Sequence, residues 1–77
     1  MKSVNILLNS IEKVKLFVTE MNIVEGDVIV GSDQQFVNAK SIMGIFSLDL
    51  SRPLELKIRN WKEEYVVLIE KYLVVQN

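Results

Sequence analysis

The hydrophobic period of this chain changes along its length, and that change constrains the fold more than any other feature. Ile11, Val14, Phe17, Val18 and Met21 recur at helical spacing and form one apolar stripe. Leu54, Leu56 and Ile58 instead alternate with Glu55 and Lys57, the period of a strand buried on one face. A helix stripe and a one-sided strand each need a surface to cover them, so the pattern calls for helices packed on a sheet.

The other segments fit that layout. Residues 2–8, KSVNILL, read as a first strand. Asn9, three residues before Glu12, has the form of a capping box at the head of the first helix. DVIVGS, residues 27–32, reads as a strand closed by a turn at Gly31-Ser32-Asp33, and QFVN as its return strand, giving a hairpin. A short helix starts at Ser41 and is stopped by the segment ending in Pro53. Asn60 and Glu63 repeat the capping form before a final helix over residues 61–75, WKEEYVVLIEKYLVV. Glu63 and Glu64 in its first turn and Lys71 near its end suit the helix dipole. The expected order is β-α-β-β-α-β-α, an α+β chain with an antiparallel sheet and helices on one face. At 77 residues it is expected to be a single domain, 1–77, with one modest core and little room for a deep cleft.

The chemistry available is narrow. There is no histidine and no cysteine, so the commonest general base, the thiolate nucleophile and the usual transition-metal ligands are absent. No metal site and no cofactor are expected. The carboxylates show no spacing that demands catalysis, and the three glycines are scattered singly, without a phosphate-binding loop. Trp61 reads as an anchor for the last helix rather than a stacking platform for bases. A net charge of -1 lacks the basic excess of a direct nucleic-acid binder. Polar residues interrupt the start, MKSVNILLNS, and no apolar run approaches the roughly 20 residues of a membrane span. A cytoplasmic protein without a membrane partner is expected.

The segment AKSIMGIFSLDL, residues 39–50, is apolar on nearly all sides. So short a helix cannot bury every face in a chain of this size. Ile45 and Leu48 share one face and are expected in the core; Ile42 and Phe46 share another and, with Met43, are expected to stay partly exposed. Leu16 lies about 155° from the centre of the first helix stripe and should also face outward. If these residues meet, they form an apolar docking surface. Ser41 is placed to cap its helix. It is also a candidate for phosphorylation, which would bring about -1.5 to -2 charges to a helix start beside Lys40.

KSIMGIFSLDL resembles the regulatory-serine segment of the HPr proteins, phosphocarriers of the bacterial sugar phosphotransferase system, which typically reads K-S-I-M-G-V-M-S-L-G. Lys40, Ser41, Ile42, Met43, Gly44, Ser47 and Leu48 match identically, Ile45 conservatively, and Phe46 replaces a methionine. The resemblance continues through LELKI and the order of elements and is loosest in the last helix. It implies an open-faced β-sandwich, a four-stranded antiparallel sheet with three helices on one face.

The family carries its transferable phosphate on a histidine within G-I-H-A-R-P. Here LNSIEK, residues 8–13, falls on that motif, with Ser10 at the histidine position, Glu12 at the arginine position and Lys13 at the proline position. A serine ester transfers phosphate far less readily than an N–P bond, and Glu12 would repel the group that an arginine holds. The resemblance therefore implies a protein that is not a relay enzyme, similar to the Crh-type members that lack the histidine and keep the serine. By that likeness, HPr kinase/phosphorylase modifies Ser41, and a catabolite-control transcription factor binds through the first two helices. Leu16, Lys40, Ile42, Met43 and Phe46 would be the partner-binding residues, in a monomer or weak homodimer. Asp49 stands where the family has a glycine. The alternative is a phosphate-independent interaction module in which Ser41 is only a cap. A phosphotransferase working through Ser10 and a ferredoxin-like small-molecule regulatory domain are further alternatives from other classes.

Overall fold

The computed structural model describes residues 1–74. The elements run β1 (Lys2–Ile6), α1 (Ile11–Met21), β2 (Val28–Ser32), β3 (Gln35–Asn38), α2 (Ile42–Phe46), β4 (Leu54–Ile58) and a last helical segment. That segment is 3-10 over Glu63–Tyr65, α-helical only over Val66–Ile69 (α3), and 3-10 again over Glu70–Tyr72. All strands pair antiparallel in one four-stranded sheet of order β1-β4-β2-β3. This is the expected α+β open-faced sandwich, with α1, α2 and α3 against the sheet.

Register separates the faces of the sheet. Val4 opposes Leu56, Ile6 opposes Leu54, and Val28 and Val30 oppose Ile58 and Leu56. These residues point inward to Val14, Phe17 and Met21 of α1, Ile45 of α2, and Tyr65, Ile69 and Tyr72 of the last segment. The other face carries Ser3, Asn5, Ile29, Glu55 and Lys57 and is left open. No buried polar side-chain atom among the described residues lacks a hydrogen-bond partner.

The helix starts differ from the sequence expectation. Ser10, not Asn9, caps α1; its extended backbone lets Oγ accept from the Lys13 N–H at 3.1 Å. Leu8 is fully buried, and this anchors the approach to the helix one residue later than the Asn9–Glu12 spacing suggested. Ile11 is 63% exposed and lies outside the stripe that Val14, Phe17 and Met21 bury. The hairpin forms, but its turn is Asp33-Gln34: Gly31 and Ser32 stay in β2, and Asp33 takes the positive φ of 54° that a tight two-residue turn favours. At Gly31 a Cβ would overlap the Gln35 carbonyl oxygen and lie 2.7 Å from the Phe36 Cα, so the close approach of β3 requires glycine there.

The final helix is shorter than 61–75, and Val75 lies outside the described residues. Lys62 takes the cap position without a side-chain capping bond, and Glu63 accepts from the Trp61 indole N–H instead of closing a box with Asn60. The far end is drawn back to the sheet. Leu73 pairs with Ile6, the Leu7 N–H donates to the Tyr72 carbonyl, and the Val74 N–H donates to the Asn5 carbonyl. A helix cannot continue through residues that are extended along β1. Tyr72 fastens this return, with its ring edge-on to Phe17 at 5.3 Å and its hydroxyl donating to Glu20 at 2.5 Å. Lys71 holds the same carboxylate at 2.6 Å. Burial, then the Glu20 bond, push the Tyr72 phenol well above its usual range.

Candidate functional site

Ser41 caps α2 from an extended backbone, φ -108°, ψ 111°, and its Oγ accepts from the Gly44 N–H at 3.3 Å. The backbone around it is pinned on both sides: its own N–H donates to the Asn38 carbonyl, and its carbonyl accepts from Ile45. Ser41 itself is exposed. Gly44 sits over β3, where a Cβ would come within 3.3 Å of the Val37 Cβ; the small residue lets α2 lie close to the strand.

The short apolar helix divides as the sequence indicated. Ile45 is fully buried and Leu48 nearly so, whereas Met43 is 76% and Phe46 40% exposed. Ile42 is half-buried against the edge of the core. Leu16, on α1, is 46% exposed. Helices α1 and α2 touch, so Leu16 and the α2 residues belong to adjoining elements. Ile23, 63% exposed just beyond α1, is a further uncovered apolar residue that no periodic pattern singled out, because it lies in a turn.

Lys40, next to Ser41 in sequence, also makes a contact outside α2. Its ammonium donates to the Val24 carbonyl at 2.6 Å, tying the α2 approach to the turn after α1. Asp49 lies beyond the C-terminal end of α2, at the opposite end of the helix from Ser41. Its carboxylate accepts from both the hydroxyl and the N–H of Ser51, and these bonds hold it below the usual carboxylate range. Those local partners occupy the negative charge that stands in place of the family glycine.

Ser10 and Glu12 lie together at the start of α1, both exposed. Ser10 Oγ is engaged as the cap, and Glu12 places a carboxylate in the first turn. This arrangement suits helix stability. It puts a carboxylate, and no cation, at the position that resembles the family's arginine.

Among the described residues no group of histidine, cysteine, aspartate or glutamate is arranged to hold a metal, and no helix is long and apolar enough to cross a membrane. No family model matches the chain, and no curated protein matches it. Solved structures do. HPr-C-His from Thermoanaerobacter tengcongensis is 30% identical, with a TM-score of 0.76, over 92% of this chain and 89% of that one. The phosphocarrier protein HPr from Bacillus anthracis str. Ames is 29% identical, with a TM-score of 0.63, over 92% of this chain and 93% of its own.

Proposed function

The chain belongs to the HPr family, and within it we propose a regulatory role in place of histidine phosphotransfer. The reading takes residues 1–77 as one HPr-like domain working in the cytoplasm, without cofactor or metal. Ser41 is its phosphorylation site, and Leu16, Ile42, Met43 and Phe46 form its docking surface for protein partners. Lys40 contributes by fixing the approach to that surface through Val24.

One observation carries the proposal. The chain contains no histidine, yet it retains an exposed serine heading the apolar segment KSIMG. The histidine that relay chemistry would use is absent, while the segment resembling the regulatory one has a capping serine and exposed Met43 and Phe46. A phosphate on Ser41 would meet no carboxylate in the first turn of α2, and its oxygens could take over the Gly44 N–H that the hydroxyl now holds. The kinase suggested by the family is HPr kinase/phosphorylase, and the partner of the phosphorylated form is a catabolite-control transcription factor. The protein acts as a monomer or weak homodimer and is not itself an enzyme.

A second reading rests on the cap bond alone: Ser41 serves only α2, and the same apolar surface binds a partner without phosphate. The test is intact-mass measurement after incubation with HPr kinase/phosphorylase and ATP, wild type beside Ser41→Ala. One added phosphate on the wild type and none on the variant is expected. No phosphate on either protein would leave the second reading.

A further inference from the structure

The open face of the sheet holds a concavity that the docking surface does not use. It is a groove of about 570 Å³ lined by Ile29, Phe36, Lys40, Lys57, Arg59 and Asp27, among others. That volume falls within the roughly 300–1,000 Å³ usual for small-ligand sites. Ile29, on β2, stands directly between Lys57 of β4 and Asn38 of β3, so the strand order puts an apolar floor between two walls. Ile29 is 38% exposed, although its neighbours on this face are polar. Phe36 opposes Gly31, which has no side chain to meet it, and the Lys57 ammonium lies 4.5 Å from the Phe36 ring centroid.

The charge of the groove opposes that of the chain. Three cationic side chains and one carboxylate line it, within a molecule of net charge -1. Arg59 faces Asp27 at 3.6 Å, but both remain largely exposed, which leaves the guanidinium open to a competing anion. Lys57 touches its nearest carboxylate, Glu55, only at 4.0 Å. Lys40 spends one ammonium hydrogen on Val24, and an ammonium has three.

We propose that this groove binds a mononucleotide, its phosphate held by Arg59 and Lys57 and its base lying on Ile29 beside Phe36. An apolar floor, an aromatic edge and paired cations match a ligand with one flat apolar end and one anionic end. Inorganic phosphate would leave Ile29 and Phe36 unused. A nucleic-acid strand would want a basic surface far larger than this groove. The assignment is independent of Ser41.

The experiment is a titration of isotope-labelled protein with adenosine monophosphate, read by amide chemical shifts. Adenosine, ribose 5-phosphate and inorganic phosphate serve as parallel probes. Saturable shifts at Ile29, Phe36, Asn38, Lys57 and Arg59 are expected with the nucleotide, and weaker binding with each fragment. Lys57→Glu and Arg59→Glu, both at accessible positions, should weaken binding about tenfold or more while the rest of the spectrum stays folded. Ser41→Ala should bind as the wild type does. Absence of saturable groove shifts, unchanged binding in the two charge reversals, or ribose 5-phosphate binding as tightly as the nucleotide would overturn the proposal.

Discussion

The starts of α1 and α2 are nearly the same piece of backbone chemistry in different surroundings. Each begins with an exposed serine in extended conformation, and each serine oxygen accepts from the N–H three residues on, at 3.1 Å for Ser10 and 3.3 Å for Ser41. The first turn then separates them. Glu12 puts a carboxylate into α1, whereas α2 has no acidic residue there and leads into exposed Met43 and Phe46. Cap geometry alone thus says little about function. On the proposed reading, the charge and the apolar surface that follow the cap are what separate Ser41 from Ser10.

The comparison can be broken first at α2, where core and docking faces share five residues. Ile45→Ala should cost about 2–5 kcal/mol in urea unfolding, because a fully buried side chain is removed. Met43→Ala, at an exposed position, should stay within about 0.5 kcal/mol. Similar losses at the two sites would mean that α2 does not divide into two faces.

The next effect is on binding. Phe46→Glu should weaken capture of the phosphorylated protein by the transcription factor by about 2 kcal/mol or more, as truncated anchors do. Ile11→Glu, also at an apolar position and a more exposed one but at the head of α1, should leave capture unchanged. Equal losses measured by surface-immobilised binding would extend the docking surface to both helix starts.

Ser10→Ala and Ser41→Ala should each lower stability by about 1 kcal/mol, the usual cost of a lost cap. That near-equality sharpens the contrast, because only one of the two should matter for phosphorylation. A thermal-melt difference well beyond this between the variants would show that the two caps are not equivalent.

The smallest effect concerns pH. Hydrogen bonds from Ser51 lower the folded-state pKa of Asp49 below its ordinary 3.8. A depressed carboxylate contributes stability that is present above the unfolded value and is lost as pH falls through the folded value. Asp49→Asn should therefore lower neutral stability slightly, flatten the acid limb of the stability curve below pH 3.8, and leave the state of Ser41 unchanged.

Much of this was legible because it depends on period. The alternation in LELKI and the spacing of Val14, Phe17 and Met21 fixed which faces go inward; spacing showed that one face of α2 would be buried, and the Ile45–Leu48 pair expected in the core is the one that entered it. What failed depended on frame and on distant contacts. An N-x-x-E spacing fits Asn9 as readily as other caps, whereas the helix starts one residue later, at Ser10, after the buried Leu8. The last helix has good helical spacing in Tyr65, Ile69 and Tyr72, but its end is decided by β1, far away in sequence. The bond from Lys40 to Val24 depends on how α1 ends, which the segment around Ser41 does not show. The groove on the open sheet face joins residues from β2, β3 and β4 and has no local signature.

The most direct measurement locates phosphate by fragment mass after two separate incubations, one with HPr kinase/phosphorylase and ATP, the other with phosphorylated enzyme I. A single phosphate on Ser41 from the first, and none from the second, is the predicted result. Phosphate on Ser10 from either donor would contradict the distinction between the two serines, and only its transfer from enzyme I would point to relay chemistry.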